Sequence, residues 1–134
     1  MKQTFNFFII ITVFFFHFFS IKVFSQTEDT CKVYQYFEVD QLPKFNYQNK
    51  NLSEYIWNKV TWPKNFDGEG EVIVSFVINQ NGKVENVAIV KSLCSICDES
   101  VKKIFENLPN FESGKVNSKP IKVRMFFPIK FVLK

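Results

Sequence analysis

The sequence predicts an α+β domain in which a three-stranded antiparallel sheet carries two helices on one face. Residues 71–90 alternate between apolar and polar side chains around an Asn-Gly turn, and residues 121–133 alternate again. Two segments with helical apolar spacing lie before and after the first alternating region. The order is therefore helix, strand, strand, helix, strand, and packing both helices on one apolar sheet face satisfies it.

Residues 1–25 are predicted to be a signal peptide. Lys2 precedes an apolar run that extends from Phe5 to Phe19, and Val23 and Ser25 suit cleavage after Ser25. The run is about 15 residues, shorter than the roughly 20 that a spanning helix needs. We expect an exported periplasmic protein; the alternative is an inner-membrane anchor, if residues 1–25 are not cleaved.

Cleavage changes the composition that bears on function. Lys2 and Lys22 leave, so the mature chain has 15 basic residues against 13 acidic ones, and its single arginine is Arg124. This near balance argues against nucleic-acid binding. The only histidine, His17, leaves as well, which excludes histidine-dependent catalytic and metal sites from the mature chain. We expect no enzyme activity, no cofactor and no metal.

Residues 26–50 are predicted to form an irregular or short-strand lead-in to a domain at residues 51–134. Pro43 breaks any helix in the lead-in. The domain then begins with a helix, for which Asn51 and Glu54 form a capping box. The helix has one apolar stripe and should end at Trp62-Pro63; the stripe consists of Leu52, Tyr55, Ile56 and Val60.

A β-hairpin follows the first helix. Val72, Val74, Phe76 and Ile78 share one face of its first strand. Residues 79–82, read as NQNG, make a tight turn because Asn and Gly tolerate positive φ. The apolar parity of the return strand changes between Val84 and Val87, which indicates a β-bulge.

The second helix has apolar residues at i, i+3, i+4 and i+7, namely Val101, Ile104, Phe105 and Leu108. Ser95 or Asp98 is predicted to cap it, and Pro109 to end it. Residues 110–119 should form a loop. In the last strand every odd position from 121 to 133 is apolar, and Pro128 favours a strand at the sheet edge because proline cannot donate to a ladder.

The three mature cysteines leave several chemistries open. Cys94 and Cys97 form a Cys-x-x-Cys pair, and Cys31 makes the number odd. A structural disulfide, either local or involving Cys31, is the favoured interpretation in an oxidising compartment. A redox dithiol at a helix start, in a secreted thiol-disulfide protein, and unpaired thiols are alternatives. A zinc site would lack a fourth ligand.

Several stretches resemble the TonB C-terminal domain family, in the same order along the chain. They are Trp62-Pro63, residues 66–78 with 81–84, residues 111–115 (FESGK) and residues 128–131 (PIKF). Residues 42–45 and 52–55 resemble the lead-in of the Bacteroidetes-type branch of that family. The resemblance covers about residues 36–133, although Ser113 stands where the family usually has proline, and the Cys-x-x-Cys pair is not a general family feature.

The resemblance implies a fold with this element order and a partner that adds a strand to the last strand. The implied partner is an outer-membrane TonB-dependent transporter or another envelope protein. The implied partner-binding residues lie in the last strand, with a second group before Pro63 by analogy: Ile121, Lys122, Val123, Arg124, Met125, Phe126 and Phe127, and Lys59, Val60, Thr61 and Trp62.

Two alternatives stand beside this expectation. The last strand could be an ordinary edge, guarded against pairing by Lys122, Arg124, Lys130 and Pro128. The chain could also be a membrane-anchored energy transducer, but the lead-in of about 25 residues spans only about 80–90 Å when fully extended. An exposed edge and an odd cysteine both permit a homodimer.

Overall fold

The computed structural model describes residues 31–64 and 66–132, so the predicted signal peptide and Leu133 of the last strand lie outside the described residues. The elements are β1 (Val33–Gln35), a 3-10 turn (Tyr36–Glu38), α1 (Leu52–Trp57), β2 (Gly70–Ile78), β3 (Val84–Lys91), α2 (Ser95–Glu106), β4 (Gly114–Val116) and β5 (Lys119–Phe131). This confirms the α+β class with two helices. None of the helices within the described ranges is long and apolar enough to cross a membrane.

The sheet is mixed and has five strands, so the prediction of a three-stranded antiparallel sheet is wrong. Four strands lie in the order β1-β5-β2-β3, and β4 pairs with the start of β5. β1 runs parallel to β5; the other pairings are antiparallel. The reason is the length of β5, which has 13 residues against the nine of β2. Its first residues extend beyond the end of β2, where β4 pairs with residues 119–121, and β1 pairs with residues 122–124 on the side of β5 that faces away from β2.

The hairpin of β2 and β3 matches the sequence prediction closely. The Asn79 side-chain oxygen accepts hydrogen bonds from the amides of Asn81 and Lys83, both at 3.0 Å, and Gly82 has φ 80°. The pairing of β2 with β3 shifts register opposite Phe76, where Asn86 has φ 53°. The expected bulge is therefore confirmed.

α1 begins at the predicted Asn51 cap but ends early. The Asn51 side chain accepts a hydrogen bond from the Glu54 amide at 2.8 Å. The helix ends at Trp57 and not at Trp62, because the amides of Lys59 and Val60 both bond the Ile56 carbonyl, at 2.8 and 2.9 Å. Two amides on one carbonyl tighten the last turn and lead the chain out of the helix.

α2 is capped by Cys94, so the prediction of Ser95 or Asp98 as its cap is wrong. The Cys97 amide donates to the Cys94 sulfur at 3.0 Å. The Asp98 carboxylate instead accepts from the Leu93 amide at 3.1 Å and from the Ser92 hydroxyl, which ties the end of β3 to the helix. Asp98 therefore stabilises the connection between β3 and α2, and the Cys94 sulfur caps the helix.

One hydrophobic core lies between the two helices and one face of the sheet. Ile56 of α1 and Cys97, Val101 and Phe105 of α2 are fully buried there. They contact the core face of β2 and β5, which consists of Val72, Val74, Phe76, Ile78, Ile129 and Phe131. This confirms that both helices cover the same apolar face. The opposite face of the sheet is more open to solvent.

Candidate functional site

The candidate site is the side of β5 that faces away from β2, which we call the β5 edge. β2 pairs with β5 in unbroken register from Gly70 opposite Phe131 to Ile78 opposite Val123. β4 pairs with residues 119–121 and β1 with residues 122–124. Among residues 31–64 and 66–132, residues 125–131 pair on the β2 side only. Their other main-chain groups form a free edge that an extended segment can join.

Pro128 indicates which main-chain groups reach this free edge. Pro128 lies opposite Ile73 within the unbroken pairing with β2. Because proline has no N–H, it is tolerated where that group would point away from the ladder. Alternate residues of a strand direct their main-chain groups to the same side, so Phe126 and Lys130 also face outward. We therefore expect amide donors at Phe126 and Lys130 and only an acceptor at Pro128.

The side chains along the free edge divide between the core and solvent. Met125 and Phe127 pack against the core, and the Phe127 ring lies 5.9 Å from the ring of Phe105. Arg124 and Phe126 are on the solvent face, and 44% of Phe126 is exposed. A segment added to this edge would therefore meet half-buried apolar side chains on the core face and one exposed aromatic ring on the solvent face.

The positive charges of β5 are not equivalent. The Lys122 ammonium lies 3.1 Å from the Glu85 carboxylate, which also accepts from the Asn79 side chain at 3.3 Å. Lys122 is thus neutralised on the solvent face of the sheet. Arg124 and Lys130 are exposed, and neither has an ion pair among the described residues. The positive potential at the edge therefore comes from these two residues.

Residues 65–133, more than half of the chain, match the family described as Gram-negative bacterial TonB protein C-terminal. The chain belongs to the TonB C-terminal domain family. This family acts in the bacterial envelope, where its members interact with outer-membrane transporters. The protein is accordingly an interaction module associated with envelope transport. A comparison with curated proteins found no match.

In this TonB C-terminal domain, the predicted binding residues of the last strand fall into three groups. Ile121 pairs with Gly114 of β4. Lys122, Val123 and Arg124 pair with β1, so β5 is not an edge strand at these positions, contrary to expectation. Only Met125, Phe126 and Phe127 lie on the free edge. Sequence reasoning missed β1 because a three-residue strand has too few positions for alternation to be recognised.

The second predicted group, residues 59–62, is only partly brought to β5. The Trp62 ring lies 5.3 Å from the ring of Phe131, at the end of β5, and its indole N–H donates to the Phe66 carbonyl at 3.3 Å. Val60 packs against the core and Thr61 is exposed. The Lys59 ammonium instead lies over the Tyr55 ring, 5.1 Å from its centre. Trp62 is therefore the member of this group that reaches the strand.

Two of the three cysteines lie at the start of α2, and the third lies just before β1. Cys94 and Cys97 form a disulfide at the start of α2, and Cys31 is an exposed free thiol. The disulfide is therefore the local one and does not involve Cys31. Cys97 is fully buried in the core, whereas Cys94 is half-buried. Within the described part of the chain, no three His, Cys, Asp or Glu residues come together as a metal site.

Proposed function

We propose that the chain is a non-enzymatic periplasmic binding module that adds an extended segment of an outer-membrane transporter to its sheet at the β5 edge. The observation that carries this proposal is that, within the part of the chain that the structure describes, residues 125–131 pair on the β2 side only, in a domain of this family. Strand addition needs a row of free main-chain donors and acceptors on a rigid sheet. β5 offers that row, held in register by β2.

The affinity of such a complex comes from main-chain hydrogen bonds, and its selectivity comes from side chains at alternate positions. Phe126 offers an exposed ring on one side of the added segment. Arg124 and Lys130 favour a segment with acidic residues, because complementary charge steers encounter and penalises basic competitors. Pro128 removes one donor, so the added segment forms its regular ladder mainly before that position.

The test is a titration of the ¹⁵N-labelled chain with a synthetic peptide from the periplasmic segment that precedes the plug of an outer-membrane transporter. We expect amide shifts at Met125, Phe126 and Phe127. Phe126→Pro removes an outward amide while leaving the pairing with β2, and should weaken binding by about fivefold to tenfold, which corresponds to the loss of one hydrogen bond of about 1 kcal/mol or slightly more. Phe126→Ala keeps the amide and is the matched control, expected within about threefold of the parent chain.

The two variants separate main-chain recognition from side-chain recognition. If Phe126→Ala weakens binding as much as Phe126→Pro does, the peptide binds the aromatic ring and not the edge. If several transporter peptides leave the amides of residues 125–127 unmoved, strand addition by such segments is wrong.

An intact-mass measurement on the exported chain addresses its anchoring. We expect a mass that corresponds to cleavage after Ser25. A mass that includes residues 1–25 would instead support the membrane-anchored transducer.

A further inference from the structure

The chain itself covers part of the strand to which a partner would add. β1 pairs in parallel with residues 122–124, with Tyr34 opposite Val123. This is the side of β5 that becomes free from Met125 onward, because β2 occupies the other side throughout. Among the described residues, the outer side of β5 therefore has one part that β1 covers, residues 122–124, and one part that no strand covers, residues 125–131. A partner segment longer than the uncovered part meets β1.

β1 is held to the domain by little more than its pairing with β5. Its three residues are all half-buried, and none belongs to the hydrophobic core. The next residues, Tyr36 and Phe37, are 51% and 72% exposed. Releasing this segment would open no cavity in the core, so its departure costs a few main-chain hydrogen bonds and modest apolar contact. Segments of this kind open at the low end of the range of local stabilities.

The residue opposite Tyr34 keeps contacts of its own when β1 is absent. Gly114 lies between the side chain of Val123 and Pro43, so close that a methyl group on Gly114 would touch both. Val123 is therefore covered from the side of β4 and the lead-in. β5 does not depend on β1 for its place in the sheet.

The chain after β1 is tied down separately. The amide of Gln41 donates to the Lys115 carbonyl at 3.1 Å, and the Lys115 amide returns the bond at 2.9 Å. Lys44 and Glu112 form a second such reciprocal pair, at 3.1 and 2.8 Å. The Asp40 amide also donates to the Lys115 carbonyl, at 3.1 Å, and the Asp40 carboxylate accepts from the Asn117 amide at 2.7 Å, so these bonds fix the lead-in from Asp40 onward. Residues 33–38 can therefore detach as a unit while the rest of the lead-in stays in place.

We propose that β1 is an exchangeable strand, which occupies residues 122–124 in the free chain and is displaced when a partner segment pairs along β5. This inference rests on the proposed function for the identity of the partner. In the free chain β1 is an intramolecular competitor with an effective concentration in the millimolar range or above. A partner binds only the fraction of molecules in which β1 has left, and its apparent affinity falls by that fraction.

The test uses the full chain and a probe of known sequence, the acetylated peptide KVYQYFE, which copies residues 32–38. Val33→Pro with Tyr34→Pro removes two consecutive amides, one of which must face β5. The matched control is Leu42→Pro, since Leu42 is exposed and lies in the lead-in beyond β1. Slow amide exchange in β2 verifies that each variant keeps its sheet.

We expect the peptide to shift the amides of residues 122–124 in the double variant, with a dissociation constant at least tenfold lower than in the parent chain. The control should behave like the parent. Equal affinity for the double variant and the parent would overturn the proposal, as would shifts confined to other parts of the double variant.

Repeating the titration with the transporter peptide separates the two proposals. Tighter binding of that peptide by the double variant, with shifts that extend into residues 122–124, supports both. Equal binding to all three proteins, with shifts at residues 125–127 alone, overturns the exchangeable strand and leaves the proposed function standing. If the transporter peptide binds none of them while KVYQYFE behaves as expected, the exchangeable strand stands and the transporter partner is wrong.

Discussion

Gly82 occupies a position in the hairpin turn that no other residue can take without strain, so Gly82→Ala should destabilise the domain strongly. Gly82 has φ 80°, in the left-handed region. A methyl group at this position would overlap the Phe111 carbonyl oxygen and lie 2.9 Å from its carbonyl carbon. The obstacle is backbone, which cannot rotate away as the end of a side chain can.

The size of the effect can be worked out from three contributions. An alanine in the left-handed region costs about 1 kcal/mol. Moving Phe111 away breaks the bond from its amide to the Gly82 carbonyl, now 2.8 Å, which contributes about 1 kcal/mol. The Phe111 ring also loses part of its contact with the Phe45 ring 5.0 Å away, about 1 kcal/mol more. We expect a loss of about 3 kcal/mol in the free energy of unfolding.

Urea unfolding followed by tryptophan fluorescence measures this loss. With a slope of about 1.5 kcal/mol per molar urea, the midpoint of Gly82→Ala should fall by about 2 M. Gly68→Ala is the matched control, because its methyl group meets only the far end of the half-buried Phe66 side chain, 2.6 Å away, and a side chain can shift where the Phe111 backbone cannot. The control should lose less than about 1 kcal/mol. Equal midpoints for the two variants would refute the reasoning from the turn.

Two further predictions concern α2. Reducing the Cys94–Cys97 disulfide should lower the free energy of unfolding by about 2 kcal/mol, because the bond no longer restricts a short loop of the unfolded chain. Urea unfolding with and without a phosphine reductant measures this loss as a difference between the two midpoints. Coincident midpoints would exclude this contribution. Lys103 donates to Glu99 at 2.8 Å and so holds the pKa of the Glu99 carboxyl below its ordinary value. The ion pair is intact above the ordinary glutamate pKa and is lost as the pH falls through the lowered one. A carbon-detected NMR titration should place the Glu99 midpoint below that of a model glutamate, and Lys103→Gln should bring it back; an unchanged midpoint in that variant would show another cause.

The regular parts of this fold were predictable because their residues repeat a period. The alternation of Val72, Val74 and Phe76 predicts β2, and the spacing of Val101 and Phe105 predicts the buried stripe of α2. The Asn-Gly turn sets the geometry of the hairpin that joins β2 and β3. In each of these the local preference and the final packing agree, which is the condition under which a pattern can be interpreted without the structure.

The parts that sequence reasoning missed depend on contacts between distant segments. β1 forms because Val33 pairs with Lys122, which is distant in the sequence, and a segment of three residues carries no pattern that predicts this pairing. β4 depends on a turn in which Asn117 and Ser118 both have positive φ, at 49° and 64°, conformations that the predicted loop did not specify. Cys94 caps α2 because the Asp98 carboxylate accepts a hydrogen bond from the Leu93 amide, before the helix.

The dependence on contacts between distant segments also explains why only part of the candidate site could be predicted. The resemblance directed attention to the last strand, and Met125 to Phe127 do lie on its open side. It could not indicate that residues 122–124 are already paired, because that depends on where the lead-in folds back.

The irregularity of β3 has a consequence for where a strand can be added. Its pairing with β2 shifts twice, once at Asn86 and once near Val90, so the far rim of the sheet does not present evenly spaced groups. Bulged rims resist the addition of further strands. The sheet therefore has one regular rim and one irregular rim. We therefore expect an added strand to pair along the β5 edge and not along β3.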